Sequence, residues 1–340
     1  MKNILVSILF SVACSYLLAQ QKDQLFIDRT PLNLALTMSI KEIAGSKEDS
    51  TYISHMLYLQ NEDGSLDSIP CGLKGRGNYR LKNCFFPPLW IKMKKGDIKG
   101  TIFEGNKKLK LVMPCDNAES HNDLILRESL CYRLYEVLTP YSFRTRLVNI
   151  DLTELRGKRR KNFQVKGILI EDLDEVADRF DAKELKESRV HSKVMNDTGA
   201  LRFDLFQFMI ANTDWSKSYQ HNSKLILHQT GYFSIPYDFD MSGLVDAPYA
   251  TVSVIGNEPL PISHVTERFY RGHCRGDSVT RFVRNEFITK EEAFLAVPGE
   301  LKGQLSDKEL AGIVEFLNEF FVIAKDDKQF HDEVIRNCRE

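Results

Sequence analysis

Ala211-Asn212-Thr213-Asp214-Trp215-Ser216, followed by His221-Asn222 and then by Pro236-Tyr237-Asp238-Phe239-Asp240, is the stretch on which the reading of this chain turns. Two apolar, strand-like segments separate its polar clusters: Lys224-Leu225-Ile226-Leu227-His228 and Tyr232-Phe233-Ser234-Ile235-Pro236. Upstream, the apolar residues from Leu201 through Phe203, Phe206 and Met209 to Ala211 predict a helix capped by Asn196 or Thr198. A helix that stops at Asn212 projects Asp214 from a loop, where a side chain meets substrate. A hairpin over 223–236 returns its two ends, Asn222 and Asp238, to one edge. Those are the oxygens that kinase-type phosphoryl transfer needs. One carboxylate orients the attacking hydroxyl, while an amide oxygen and a second carboxylate hold Mg²⁺ against the phosphates. Asp240 is a second candidate ligand, or it orients Asp238. Continued strand alternation would put both on one side and Phe239 on the other.

Other chemistries use the same residue types. Asn-x-Asp and Asp-x-Asp are common turn and capping elements. A calcium site would draw on the same oxygens, but no Asp-x-Asp-x-Asp-Gly loop occurs. Two carboxylates are also all that an inverting glycosidase requires. No Gly-x-Ser-x-Gly occurs, so a serine nucleophile is not indicated. His221 and His228, seven residues apart on the expected hairpin, read as structural.

Outward from this stretch the two halves differ. The first half is β-rich. Tyr52 to Gln60 alternates, Asn61-Glu62-Asp63-Gly64 is a turn signal, and Leu66 to Leu73 returns as a hairpin. Short strands are expected at Leu89–Lys94, Lys108–Met113, Phe143–Leu152 and Phe163–Glu171. The basic run Arg156-Gly157-Lys158-Arg159-Arg160-Lys161 reads as a solvated hairpin tip. Ser120 to Leu138 is the one helix of this half, with Leu126, Leu130, Leu134 and Leu138 on one face. The second half is more helical, with further helices over Arg281–Phe287 and Lys308–Ala324. The expected fold class is α+β, in two lobes: a β-rich lobe over residues 21–175 and a mainly helical lobe over 176–340.

Residues 1–20 have the form of a secretory signal peptide, with Lys2 before an apolar run from Ile4 to Ala19. Export to the periplasm, the cell surface or the medium is therefore expected. Lipoprotein anchoring at Cys14 is the less favoured route, because apolar residues continue beyond it. No later segment is long and apolar enough to span a bilayer. Net charge is −1 over 340 residues, with 27% charged and 43% hydrophobic side chains, which gives no signal for nucleic-acid binding. Six cysteines follow the leader: Cys71, Cys84, Cys115, Cys131, Cys274 and Cys338. An even number in an exported chain permits disulfides. Cys84 with Cys115 is the first pair to test, and Cys131 reads as a buried free thiol on its helix.

At these residues the chain resembles the CotH kinase family of spore-coat-type atypical protein kinases and, more distantly, HipA-type kinases. The resemblance runs from about Lys74 to Gly243. It is carried by Arg76-Gly77-Asn78, Trp90-Ile91-Lys92-Met93, Leu126-Arg127-Glu128, Lys166-Gly167-Ile168-Leu169-Ile170-Glu171, and the Asn212–Asp240 segments. It implies a two-lobed kinase-like fold that uses ATP with Mg²⁺ or Mn²⁺. Asp214 would be catalytic, and Asn222, Asp238 and Asp240 would bind metal. Lys92 would contact the phosphates and pair with Glu128. Arg76 and Asn78 would lie over the nucleotide, and Glu171 would lead to the hinge. The acceptor would be a protein Ser/Thr or a glycan hydroxyl. The alternatives are a pseudokinase-like binding module without turnover and a surface-assembly protein whose acidic loops hold a structural cation. Asp214 and Asn222 stand eight residues apart, so Ser216 to Gln220 must bulge out if the two side chains are to meet.

Overall fold

The computed structural model describes residues 24–46, 51–61, 63–186 and 189–340, so the leader and Cys14 lie outside the described residues. The chain forms two compact units: Met1–Asn122 with Thr145–Asp172, and Asp123–Arg144 with Leu173–Glu340.

The first unit is a closed barrel of seven strands. These are β1 (Leu32–Met38), β2 (Ile53–Gln60), β3 (Leu66–Gly75), β4 (Leu89–Met93), β5 (Lys108–Val112), β6 (Thr145–Arg156) and β7 (Arg159–Ile170). Around the barrel the order is β1-β2-β3-β4-β5-β7-β6. Neighbours run antiparallel except at the closure, where β1 lies parallel to β6 from Leu32↔Val148 to Met38↔Glu154. Closure leaves no sheet edge exposed. Alternation drives the strands. In β4 the buried Leu89, Ile91 and Met93 turn inward, whereas Trp90 and Lys92 turn out. The interior is filled by residues such as Leu34, Leu36, Leu57, Ile69, Leu73, Leu111, Ile150 and Leu169. Each fully buried aliphatic side chain contributes about 1.5–3 kcal/mol. The Cys84–Cys115 pair is a disulfide, as the sequence reading proposed.

The second unit packs four longer helices, α1 (His121–Leu138), α2 (Asp197–Met209), α3 (Asp277–Thr289) and α4 (Asp307–Lys325), with a three-stranded sheet. That sheet has the order β10 (Gly231–Pro236), β9 (Ser223–His228), β8 (Lys183–Glu184). Aromatic contacts knit its core, including Tyr135–Phe206 at 4.8 Å, Phe206–Phe239 at 5.7 Å and Phe287–Phe320 at 5.5 Å between ring centroids. A second disulfide joins Cys274 to Cys338. Cys131 is buried and free, and burial pushes its thiol pKa up.

The expected two-lobed, kinase-like α+β fold with a mainly helical second lobe is overturned by this architecture. The β-rich half is a closed seven-stranded barrel, and the second unit carries a sheet as well as helices. The reason is topological. The pairing of β1 with β6 joins residues more than a hundred positions apart, which local periodicity does not register.

Among the described residues no helix is long and apolar enough to cross a membrane. Two disulfides indicate an oxidising, exported environment.

Candidate functional site

The loop after α2 is built from the helix end outward. Asn196 caps the helix, its side chain accepting from the Gly199 N–H at 2.9 Å. At the other end Ala211 takes a left-handed backbone, φ +49°. The Ala211 N–H bonds to Phe208 O at 3.1 Å and the Asn212 N–H to Gln207 O at 2.8 Å. That is the double bond pattern of a Schellman stop, with alanine where glycine is the usual residue. Gly243 seats the following turn against it, donating to Ala211 O at 3.0 Å. A Cβ on Gly243 would fall 2.5 Å from Val265 O and 2.8 Å from Ala211 Cβ.

Side chains then fix the loop backbone. Asn212 Oδ1 accepts from the Asp214 N–H at 2.9 Å, and Asn212 O accepts from Trp215 Nε1 at 3.0 Å. Thr213 and Ser253 hydroxyls meet at 2.9 Å. The Arg271 guanidinium donates to Thr213 O and, at 3.3 Å, to Trp215 O, clamping the backbone on both sides of Asp214. Asp214 itself stays one-third exposed.

The eight-residue step to Asn222 does close. Ser216 and His221 form an isolated antiparallel bridge, with N–H···O distances of 2.9 and 3.0 Å, and residues 217–220 bulge from it. Left-handed backbones at Gln220 and Asn222, φ +51° and +48°, make the turn. The Asn222 amide then donates to Asp214 Oδ2 at 2.9 Å and to Asp214 O at 2.8 Å. His221 Nε2 lies 2.8 Å from Asp214 Oδ1. This hydrogen bond raises the His221 pKa above its ordinary value, against the opposing effect of burial, and the Asp214 and Asp238 charges act in the same direction. His221, which reads as structural from sequence, is therefore a member of the cluster. Nothing in its spacing could show this, because the bridge at Ser216 decides it.

Asp238 follows β10 with φ +65°, and its N–H donates to Tyr132 Oη at 3.0 Å. The Tyr237 N–H bonds to Asn222 O at 3.1 Å, so the hairpin ends do return to one edge. The strand itself ends at Pro236. Phe239 and Asp240 are both buried, whereas Asp238 is half-buried, so Asp238 and Asp240 are not equivalent. Tyr249 Oη donates to Asp240 Oδ2 at 3.3 Å. Ala211, Gln220, Asn222 and Asp238 are four non-glycine residues held at positive φ in these turns. Strained backbone of this kind clusters at functional sites.

The nucleotide residues named from sequence fall in both units. On the outer barrel face, Trp90 pairs in register with Lys74 and Lys110, and Lys92 pairs with Lys108. Arg76, Lys108 and Lys110 lie over the Trp90 ring at 5.5, 4.2 and 5.1 Å, and Lys92 lies over Tyr52 at 5.4 Å. Asp172 offsets part of this charge, 3.0 Å from Lys108. Asn78 is exposed at the start of a short helix over Tyr79–Asn83. Glu171 is buried, and its carbonyl accepts from Lys110 Nζ at 3.2 Å. Glu128 is buried on α1 of the second unit.

The oxygen-rich donors near Asp214 have the chemistry of a hard-cation site. Asn222 spends its amide nitrogen on Asp214, which leaves Oδ1 as its side-chain acceptor. No group of three or more His, Cys, Asp or Glu side chains arranged for a metal occurs among the described residues. No protein-family model matches the chain, and no curated protein matches it.

Proposed function

We propose that this chain is an exported phosphotransferase, carried out of the cytoplasm by its N-terminal leader, that moves the ATP γ-phosphoryl group to a hydroxyl. The observation that carries this reading is the Asn222–Asp214 hydrogen bond, which closes an eight-residue step in the sequence. It supports a base and a metal-binding amide acting as one unit. Asp214 orients the acceptor hydroxyl and takes its proton as the oxygen–phosphorus bond forms and ADP leaves. His221 holds Asp214 in position and, being exposed, passes the proton to solvent. Asn222 Oδ1 and Asp238 would hold Mg²⁺ or Mn²⁺, which when bound neutralises charge on the transferred group. Asp240, fixed by Tyr249, would orient its neighbours. Lys92, Arg76 and Asn78 are assigned to ATP by their resemblance to CotH kinase segments. The lysine-rich barrel face around Trp90 suits phosphate. The acceptor is a surface-protein Ser/Thr or a glycan hydroxyl.

A second reading, a nucleotide-binding module without turnover, is favoured by one observation. Both Asp214 carboxylate oxygens already have hydrogen-bond partners. Thermal unfolding with ATP and Mn²⁺ followed by a phosphoryl-transfer assay separates the two. Binding only to the native state must raise the midpoint. Phosphotransfer predicts a rise plus transfer, with transfer abolished in Asp214→Ala. A rise without transfer, lost in Asp238→Ala but kept in Asp214→Ala, gives the binding module. No rise at millimolar nucleotide removes both.

A further inference from the structure

Within the second unit, segments around residues 189–192, 215–219 and 271–273 meet Arg339 at a pocket of about 190 Å³. Six basic side chains line it: Arg189, His191, Lys217, Arg271, His273 and Arg339. No carboxylate is among its described lining residues. Only Lys217 is neutralised in contact, by Asp204 at 2.6 Å. No described carboxylate forms a salt bridge with Arg189, Arg271 or Arg339, although the Asp204 charge acts on Arg271 and Arg339 and the Asp214 charge on Arg271.

The fold itself holds these basic groups together. The Cys274–Cys338 disulfide lies one residue from both His273 and Arg339. Backbone bonds reinforce it, from Cys274 N–H to Arg339 O and from Arg339 N–H to Gly272 O, each 2.9 Å. Polar atoms in the pocket wall are also left with unused capacity. Ser192 Oγ, Arg271 Nε and His273 Nδ1 are buried with no hydrogen-bond partner among the described residues, and Ser192 is 1% exposed. Burial and the cations around it, Arg339 foremost, push the His273 pKa down to about 4. The ring is therefore neutral near pH 7 and serves as a hydrogen-bonding group.

We propose that this pocket binds a tetrahedral oxyanion, the phosphate or sulfate monoester group of a larger ligand. Guanidinium forks match such oxygens bidentately, and Ser192, Ser216 and Ser218 add neutral donors. The volume far exceeds the ~10–15 Å³ that one water needs. It falls short of the roughly 300–1,000 Å³ of sites that enclose a whole small molecule. The pocket thus takes a charged group and leaves the rest of its carrier outside. Arg271 links the pocket to the loop carbonyls at Thr213 and Trp215, so an occupant also braces the backbone on both sides of Asp214. The proposal stands independently of phosphotransfer.

The test is calorimetry on the full mature chain with inorganic phosphate and inorganic sulfate, each against chloride at matched ionic strength. One saturable site is expected, weakened at least tenfold in Arg339→Gln and in Arg189→Gln, with Arg339→Lys intermediate. Both glutamine variants should unfold in chloride at or above the parent midpoint, since each removes repulsion. Glucose 6-phosphate and O-phosphoserine then distinguish a sugar carrier from a peptide carrier by which binds more tightly than inorganic phosphate. Phosphate binding equal in the parent and both glutamine variants overturns the proposal, as does a response no different from that to chloride.

Discussion

Two acid–base pairs, whose carboxylates stand ten residues apart along the chain, show what burial does to related chemistry. Asp204 and Lys217 meet at 2.6 Å with side chains 0% and 1% exposed. Lys217 adds a bond to Ala200 O at 3.2 Å. Burial pushes the Lys217 pKa down, and the adjacent carboxylate opposes that shift. Asp214 and His221 meet at 2.8 Å but are 33% and 57% exposed. The first pair secures α2 to the bulge that follows it. The second leaves its charge accessible to a substrate, at little cost to the fold. The buried pair thus cannot lose one partner without stranding the other, whereas the exposed pair remains open to solvent.

The comparison breaks most visibly at Lys217. In Lys217→Met the Asp204 charge is left buried and uncompensated, and stability should fall by about 3–5 kcal/mol. The double variant Lys217→Met/Asp204→Leu should recover most of that, because a well-packed apolar pair replaces an ion pair at little cost. Urea unfolding of the three proteins measures it, and a single variant within about 1 kcal/mol of the parent would refute the assignment. Next comes Gly272, where an added Cβ would fall 2.2 Å from Tyr270 Oη and 2.7 Å from Asp204 Cβ. Gly272→Ala should cost roughly 1–3 kcal/mol by overpacking beside the buried carboxylate. At the exposed pair, Asp214→Asn should change stability by less than about 1 kcal/mol while abolishing phosphoryl transfer.

The pH dependence sets two histidines against each other. The His221 pKa is raised from 6.5, first by its hydrogen bond to Asp214. Its contribution to stability is complete below pH 6.5 and is lost as pH rises through the folded value. The His273 pKa is depressed from 6.5 to about 4, so between those values the unfolded chain binds the extra proton and acidification destabilises the fold. Unfolding free energies measured from pH 4 to 8 should lose the first trend in Asp214→Asn and the second in His273→Gln.

Much of the local structure was legible. The hairpin 66–73 returning on 52–60, the α1 stripe of leucines, the Asn196 cap and the hairpin 223–236 follow from periodicity and capping chemistry. The Cys84–Cys115 pair and the buried Cys131 were also readable. The barrel was not, because β1 finds its closing partner in β6. Arg268 and Arg271 have no sequence signal that separates them. Yet Arg268 pairs with Glu319 at 2.7 Å, whereas Arg271 clamps the loop that carries Asp214.

The sequence by itself determined the alternation that makes strands, the stripes that make helices, and the presence of Asp214, Asn222 and Asp238 within one short stretch. Only the tertiary structure decided that Asp214 and Asn222 meet, that His221 joins them, and that a disulfide sets Arg339 beside His273. The physical reason is range. Periodicity and capping act over a few residues. A two-residue bridge across a bulge, a parallel closing strand and a set of confined like charges exist only when distant segments have been packed against one another.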